Sequence, residues 1–184
     1  MSSIKPFSLF DMMKFNNVNL DILTETFSTS FYGEYIARWN ECNATVSNSN
    51  GMIEGYILGK VEGDEKNNNK KNWHGHVSAV TVAPYFRRQG LAKYFMKFFE
   101  NMSEKINNCY YVDLFVRSTN KVAIDMYKHF GYNIYQTIQN YYSSDGIQPA
   151  ENGYDMRKSM ARDKDKILSQ PTGKTILPSE IEFY

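Results

Sequence analysis

The stretch from residue 80 to residue 92 constrains the fold most, because it joins a β-branched run to a helical pattern through a short basic turn. The first backbone N–H groups of such a helix have no partners within it, and the helix dipole adds positive character there. Arg87 and Arg88 bring positive charge, and Gly90 lets a ligand approach the backbone with no Cβ atom in the way. The stretch therefore favours a phosphate or pyrophosphate site. The plainer interpretation is an ordinary turn that happens to carry arginines.

Composition and charge exclude several classes of protein. The chain has 184 residues, which suits one α/β domain, and a net charge of +1, which argues against direct nucleic-acid binding. Cys42 and Cys109 form no CxxC pair and the histidines are not clustered, so neither a zinc site nor a disulfide framework is indicated. No secretory signal and no apolar stretch near the roughly 18 residues of a membrane span is found. We expect a cytoplasmic protein without a metal or a membrane contact.

Hydrophobic periodicity and turn residues divide the chain into alternating strands and helices. Strands are predicted over residues 4–9, 44–47, 52–61, 74–83, 110–116, 132–142 and 153–159. Helices are predicted from residue 11 to the asparagine-rich 16–19, and over 31–39, 91–105 and 120–130. Residues 62–72 are polar and low in complexity, so a mobile hairpin loop is expected there. The charged segment from residue 162 is expected to be either disordered or ordered against a partner.

The turn and the order of the elements together resemble the GNAT acetyltransferase superfamily. Arg87, Gly90 and Ala92 have the spacing Arg-x-x-Gly-x-Ala of its acetyl-CoA pyrophosphate loop, and the turn has neither the Walker nor the Gly-x-Gly-x-x-Gly pattern. The resemblance implies an α/β fold with a single GNAT domain over residues 1–160, in which helices flank a mixed central sheet. Residues 161–184 would form a tail. Acetyl-CoA is the implied co-substrate.

The resemblance also assigns residues to acetyl-CoA. A backbone N–H of the central strand would polarise the acetyl carbonyl, as in an oxyanion hole, and the candidates are Thr81, Val82 and Ala83. The pyrophosphate would lie against the turn, whose residues are Arg87, Arg88, Gln89, Gly90, Leu91 and Ala92.

Asn120 and Tyr127 are seven residues apart on one predicted helix and therefore share a face. By the resemblance, Asn120 contacts the pantetheine arm, and Tyr127 either protonates the departing thiolate or only hydrogen-bonds the sulfur. The alternative is that Tyr127 is a core residue, since Met126 and Phe130 flank it.

Several further segments resemble N-terminal acetyltransferases of the NatB type, namely residues 20–27, 73–77, 112–117, 141–142 and 153–157. The resemblance implies that the substrates are nascent proteins that begin Met-Asp, Met-Glu, Met-Asn or Met-Gln. It implies the substrate-binding residues Glu25, Phe27, His74, Gly75, Asn120, Tyr141 and Tyr142. Because acids and amides are both accepted, we expect neutral donors to the second side chain, and His74, Asn120 and Tyr142 qualify. The resemblance allows a tyrosine as well as a phenylalanine at position 27, and it implies that Phe27 lines the slot for the methionine.

An α-amine acceptor needs only a weak base, because its pKa of about 7.7–8.0 leaves roughly a tenth of it neutral near pH 7. A lysine amine, with a pKa near 10.4, would be neutral on the order of once in a few thousand. His74 or Tyr141 would suffice as the base, and Glu25 is the carboxylate alternative. His76 faces the same side of its strand as His74, but a structural role is favoured for it.

The implied partners are a large helical-repeat auxiliary subunit, the ribosome and nascent peptides. Two other functions stay open from the sequence. One is a GNAT enzyme that acetylates lysines or small amines, and the other is a degenerate GNAT domain that serves as a coenzyme-binding scaffold. The joint presence of Arg87, Gly90, Asn120 and Tyr127 argues against the scaffold.

Overall fold

The computed structural model describes residues 3–21, 24–66, 71–144 and 149–181. Within them the strands are β1 (Ser3–Pro6), β2 (Ala44–Ser47), β3 (Ile53–Glu62), β4 (His74–Val82), β5 (Tyr111–Arg117), β6 (Asn133–Tyr142), β7 (Glu151–Ser159) and β8 (Thr175–Ile176). The α-helices are α1 (Asn16–Asn19), α2 (Thr29–Arg38), α3 (Leu91–Asn101) and α4 (Lys121–His129). Each predicted strand is present, with ends shifted by at most three residues.

The chain forms two compact units, and β4 contributes residues to both. The first unit is Met1–Val61 with Val77–Ile106, and the second is Glu62–His76 with Asn107–Tyr184. No helix in the described ranges is long and apolar enough to cross a membrane.

The first unit contains strands in the order β1-β2-β3-β4. β1, β2 and β3 pair antiparallel, with Lys5 opposite Thr45 and Thr45 opposite Tyr56. The predicted hairpin between β2 and β3 is confirmed, because the Gly51 N–H donates to the Asn48 carbonyl at 3.0 Å. The φ angle of Gly51 is +76°, a conformation that glycine adopts readily.

Aromatic side chains form the core of the first unit against β3. The rings of Phe7 and Phe15 lie 5.4 and 5.8 Å from the ring of Tyr56, and Tyr32 of α2 lies 6.2 Å from it. All four side chains are buried. Because aromatic rings bury large apolar areas, these four side chains supply much of the apolar contact in this core.

The helix predicted from residue 11 is broken in the structure into a 3-10 turn at Asp11–Met13 and the four-residue α1. The Asp11 carboxylate accepts hydrogen bonds from the N–H and the hydroxyl of Ser8, at 2.9 and 2.7 Å. Asn17 donates to the Ile53 carbonyl at 2.6 Å. Such side-chain bonds compete with a continuous helix, which is why the apolar spacing alone overestimated its length.

The helix after the basic turn is confirmed, but it ends as an α-helix at Asn101 and continues as a π-helix over Met102–Ile106. Phe95, Met96 and Phe99 are its buried apolar side chains. The amphipathic period therefore predicts where α3 begins and which face is apolar, but not the change of helix type.

The second unit contains strands in the order β5-β7-β6-β8. β5 and β6 each pair antiparallel with β7, and Asp113 of β5 lies opposite Arg157 of β7. Asn120 caps α4, because its Oδ1 accepts from the Ala123 N–H at 3.1 Å. Gly131 follows the helix at a φ of +93°, as expected for a residue just past a helix C-terminus.

Of the two expectations for the segment from residue 162, disorder is wrong for the part that the structure describes. Its described part is ordered against the same chain, since β8 pairs in parallel with β6 and the Thr137 N–H donates to the Lys174 carbonyl at 2.9 Å. The Asp163 carboxylate accepts from the Ser159 hydroxyl at 2.6 Å and from the Leu168 N–H at 2.9 Å. These bonds had no signature in the sequence, because they join residues that carry no shared motif.

The polar loop predicted over residues 62–72 is described only in part. Residues 67–70 lie outside the described residues. A hydrogen bond joins the residues before and after them: the Asp64 N–H donates to the Oδ1 of Asn72 at 3.1 Å, and Asn72 is buried. Glu62 belongs to β3 and is also buried.

Candidate active site

The basic turn in the first unit has the backbone shape of an anion-binding site. Arg88 and Gly90 have φ angles of +64° and +85°, and α3 begins directly after Gly90. Left-handed residues of this kind turn successive N–H groups toward one side, where they can meet an anion. A Cβ atom on Gly90 would meet nothing within 4 Å, so the positive φ, rather than a close neighbour in the protein, is what favours glycine.

Arg87 is held by the protein. Its Nε donates to the carbonyl of Val82 at 3.1 Å, and its Nη2 forms an ion pair with the Asp21 carboxylate. Arg88 is exposed. The two arginines that the sequence treats as equal sources of charge therefore have different surroundings.

The end of β4 lies unusually close to β3. A Cβ atom on Gly55 would be 2.5 Å from the Thr81 carbonyl oxygen and 3.2 Å from the Val82 Cα. The Ala83 N–H donates to the Glu54 carbonyl at 2.9 Å. Of the three predicted donors to the acetyl carbonyl, the Ala83 N–H is thus already engaged by Glu54.

Replacing Gly55 with alanine is expected to displace the end of β4 and to lower the free energy of unfolding by about 1–3 kcal/mol, since the added methyl overpacks against backbone. Thermal denaturation measures the loss. Gly33→Ala is the matched control, because a Cβ at this helical position meets nothing within 4 Å. The control should be neutral or stabilising by about 0.5–1 kcal/mol. Equal melting temperatures for both variants would contradict the close approach.

The segment that carries Glu25 and Phe27 is attached to the aromatic core of the first unit. The Phe27 ring stacks on Phe31 at 4.3 Å and meets the edge of Tyr32 at 5.9 Å. Glu25 is exposed. Ile22 and Leu23, which belong to the same sequence motif, lie outside the described residues.

His74, in the second unit, is surrounded by acceptors. Its Nδ1 is 2.5 Å from the Asn72 carbonyl, which can only accept, so this nitrogen carries a proton. Its Nε2 is 3.5 Å from Glu62 and 3.6 Å from Asp113. Burial alone would lower the pKa of His74, but the two carboxylates and the hydrogen bond to Asn72 raise it above its ordinary value. These surroundings favour the protonated form of His74, which can donate from both ring nitrogens but cannot act as a base.

Asp113 is the residue that sequence reasoning missed. Its Oδ1 is 2.8 Å from His76 Nδ1, and it also faces His74. Burial opposes its ionisation, but the two histidines hold the pKa of Asp113 well below its ordinary value. The available signal was a single carboxylate in an otherwise apolar strand, next in the fold to two histidines spaced two apart. The structural role expected for His76 is consistent with this pairing.

An aromatic wall continues from these histidines within the second unit. The ring of Phe115 lies 5.0 Å from His76 and 5.0 Å from Tyr141, and Tyr141 lies 5.0 Å from Tyr142. The Arg117 guanidinium sits 4.2 Å above the Tyr142 ring. A Cβ atom on residue 153 would be 3.1 Å from the Tyr141 Cβ, so Gly153 permits this packing.

Asn120 and Tyr127 are both placed by α4. Asn120 uses its Oδ1 for the helix cap, which leaves its amide Nδ2 as the group that could reach a ligand. Tyr127 is buried, with its ring 6.1 Å from Tyr132 and 6.5 Å from Phe130. Burial raises the pKa of Tyr127 to about 12, so the phenol keeps its proton at physiological pH. This packing agrees with a core role and also with a proton donor.

A cavity of about 310 Å³ in the second unit is bordered by His74. Gly75, a predicted substrate-binding residue, follows His74 in β4. The charged lining of the cavity is balanced, and consists of the acidic Glu62, Asp113, Asp155 and Glu180 and the basic Lys71, His74, Arg157 and Lys174. Arg157 pairs with Asp155 at 2.8 Å and lies 3.7 Å above the Tyr135 ring. Among the described residues, no group of three or more His, Cys, Asp or Glu is arranged to hold a metal ion.

Comparisons with known proteins agree on one family. A model of the acetyltransferase (GNAT) family matches residues 12–132. The N-terminal acetyltransferase B complex catalytic subunit NAA20 of Arabidopsis thaliana is 46% identical over 183 residues, with 100% of this chain and 99% of that protein covered. The N-alpha-acetyltransferase 20 of Dictyostelium discoideum is 44% identical over 183 residues, with 100% of both covered.

Solved structures give the same result at the level of the fold. The crystal structure of Chaetomium thermophilum Naa20 in complex with a bisubstrate analogue has a TM-score of 0.86 and 36% identity, and covers 96% of this chain and 97% of that chain. A NatB acetyltransferase complex bound to a bisubstrate inhibitor has a TM-score of 0.83 and 35% identity, with 98% and 99% covered. The predicted single GNAT domain with a mixed sheet flanked by helices is confirmed by these matches.

Proposed function

Because this chain belongs to the acetyltransferase (GNAT) family, we propose that it acetylates nascent proteins beginning Met-Asp, Met-Glu, Met-Asn or Met-Gln. The relative at 46% identity is an N-terminal acetyltransferase B complex catalytic subunit, and the relative at 44% identity is an N-alpha-acetyltransferase. The chain is an acetyl-CoA-dependent N-terminal acetyltransferase.

The turn at residues 87–92 receives the pyrophosphate of acetyl-CoA in this proposal. Its support is the left-handed backbone at Arg88 and Gly90 and the start of α3 directly after it. A backbone N–H of Thr81 or Val82 hydrogen-bonds the acetyl carbonyl oxygen and stabilises the negative charge that develops there.

The chemical step is an attack of the neutral α-amine on the thioester carbonyl carbon. A C–N bond forms, the C–S bond breaks, and the thiolate of coenzyme A takes a proton from Tyr127. The phenol is in the protonated form that this step requires, since burial raises the pKa of Tyr127 to about 12. The amine proton passes to Glu25, directly or through water, or is relayed to water by the Tyr141 hydroxyl, because the surroundings of His74 favour its protonated form, which cannot accept a proton.

The observation that carries the proposed preference is His74, a buried donor beside a cavity whose acidic and basic groups balance. A strongly positive pocket would favour Asp and Glu over their amides. Here Glu62 and Asp113 offset positive charge on His74 from 3.5 and 3.6 Å, which is longer than a good hydrogen bond, so the Nε2–H is left to donate to either a carboxylate or a carboxamide. Asn120 and Tyr142 are the other proposed donors, and Gly75 and Phe27 are the proposed walls.

Replacing His74 with alanine is expected to lower kcat/KM for Met-Asp peptides by about tenfold more than for Met-Leu peptides. Only the polar substrate loses a hydrogen bond, so the selectivity is compressed. His74→Gln should keep part of the selectivity because its side-chain amide still supplies a donor. His129→Ala, on an exposed histidine of α4, is the control and should change neither value.

Steady-state rates on both peptides decide the matter. Equal proportional losses on Met-Asp and Met-Leu, with no recovery in His74→Gln, would mean that His74 acts on the amine and not on the second side chain. A lower melting temperature is expected in either case, because Glu62 and Asp113 lose a partner. The selectivity ratio is therefore the readout.

We also propose that the chain works in the cytoplasm with a helical-repeat auxiliary subunit, on nascent peptides at the ribosome. Support comes from the relatives, which are subunits of N-terminal acetyltransferase B complexes. The first unit also exposes large apolar side chains near its start, from 59% exposure at Leu9 to 76% at Phe10, 80% at Met13 and 84% at Leu20. Exposed apolar groups of this size suit a protein partner.

A further inference from the structure

Arg87 connects three parts of the first unit that bear on catalysis. It belongs to the turn after β4, it donates to the carbonyl of Val82 at the end of that strand, and it pairs with Asp21. We propose that Arg87 is a positioning residue, which through Asp21 holds residues 24–27 where the peptide is received, and that it is not a ligand of the pyrophosphate. The inference rests on the proposed function, because that function assigns the peptide to Glu25 and Phe27.

Two nitrogens of the Arg87 guanidinium, Nε and Nη2, donate to acceptors of the protein itself. Arg87 Nε donates to the Val82 carbonyl at 3.1 Å, and Nη2 donates to Asp21 Oδ2. The Asp21 side chain is 11% exposed and that of Arg87 is 35% exposed. Such a partly buried pair is screened less by salt than a surface pair.

Asp21, which pairs with Arg87, also forms hydrogen bonds with Thr24. The Thr24 N–H donates to the Asp21 carbonyl at 3.0 Å, and its hydroxyl lies 3.4 Å from Asp21 Oδ2. The carboxylate that Arg87 holds is therefore the same one that orients the residue just before Glu25.

The other end of this segment is fixed by the aromatic core. The Phe27 N–H donates to the Tyr32 hydroxyl at 3.4 Å, and the Phe27 ring stacks on Phe31. Residues 24–27 are thus held at one end by the core and at the other by the turn through Arg87. Loss of the second attachment should loosen the segment without unfolding the core.

Arg88 provides a matched comparison, since it is the next residue, carries the same charge and is exposed. If Arg87 positions the peptide segment and Arg88 attracts the pyrophosphate, the two arginines should affect different measurements. The sequence alone gives no reason for such a difference.

The test compares Asp21→Asn, Arg87→Gln, the double variant and Arg88→Gln in the full chain. Acetyl-CoA Kd is measured by calorimetry, and KM and kcat are measured with a Met-Asp peptide. Asp21→Asn and Arg87→Gln should each raise the peptide KM by about tenfold, with the acetyl-CoA Kd changed by no more than about twofold. The double variant should resemble the single variants, because both remove the same interaction. Arg88→Gln should weaken acetyl-CoA and leave the peptide KM unchanged.

The opposite pattern would overturn the inference. It is wrong if Arg87→Gln weakens acetyl-CoA by tenfold or more while Asp21→Asn changes nothing, and also if neither variant alters the peptide KM. The proposed substrate preference fails separately, because that failure would appear in the native enzyme as poor turnover of Met-Asp peptides before any variant is made. The calorimetric comparison of Arg87→Gln with Arg88→Gln still decides the role of Arg87 in that case.

Discussion

Replacing Tyr127 with phenylalanine is expected to lower kcat by about 10–10³-fold, because the variant keeps the ring and its packing but removes the proton that the departing thiolate needs. The effect should fall on kcat rather than on the peptide KM, since the hydroxyl acts at the sulfur. The melting temperature should change little. Stopped assays of free thiol with a Met-Asp peptide measure the rate.

Tyr132→Phe is the matched control for this variant. Tyr132 is also buried, and its ring lies 6.1 Å from that of Tyr127, but it is not among the proposed catalytic groups. The control should keep full turnover. A Tyr127→Phe enzyme with native turnover and a lowered melting temperature would instead establish Tyr127 as a core residue.

The pH profile gives a second view of the same group. Burial raises the pKa of Tyr127 to about 12, so its protonated form, which is the one required, persists as the pH rises through 8, 9 and 10. Loss of kcat at high pH in that range would have to come from another group. A basic limb near pH 9 that disappears in Tyr127→Phe would contradict the assigned state.

Replacing Gly90 with aspartate is expected to weaken acetyl-CoA binding by more than tenfold, since a carboxylate would stand at the start of α3 where the pyrophosphate is proposed to lie. Gly90→Asn is the matched variant. Asparagine has nearly the same shape and tolerates the φ of +85°, so it carries the backbone cost without the charge.

Calorimetric titration with acetyl-CoA separates the two effects. Gly90→Asn should lose only a few-fold in affinity, and the further loss in Gly90→Asp should shrink as salt is added, because screening weakens repulsion between charges. Equal Kd values for the aspartate and asparagine variants would contradict the proposal that the pyrophosphate binds at this turn.

The strand, turn and helix over residues 80–92 can be predicted from the sequence because all of their signals are local. The β-branched run, Pro84, Gly90 and the apolar period of α3 each act within a few residues of one another. The same holds for the hairpin at Asn48 and Gly51 and for the cap of α4 at Asn120. Local signals can also mislead. The N-terminal helix is shorter than its apolar spacing predicts, because the Asp11 side chain accepts hydrogen bonds from the N–H and the hydroxyl of Ser8.

The partners of individual site residues could not be predicted, because they depend on contacts between distant positions. Arg87 and Asp21 are 66 residues apart, and His76 and Asp113 are 37 apart. No sequence pattern around one member of either pair indicates which residue is its partner. The charge state of His74 is a consequence of such contacts, and so is the engagement of the Ala83 N–H by Glu54. The sequence therefore suggests candidate site residues, but it does not show which of their polar groups are already engaged within the fold.

The most direct test of this account is the rate of acetylation across N-terminal peptides by the native full chain, with and without an auxiliary subunit. Met-Asp, Met-Glu and Met-Asn peptides are predicted to exceed Met-Leu, Met-Lys and Ser-starting peptides by about 100-fold or more, because a buried donor left unpaired penalises the substrates that lack an acceptor. A peptide with a blocked N-terminus and an internal lysine should be inert. Equal rates on Met-Leu and Met-Asp would contradict the proposed preference.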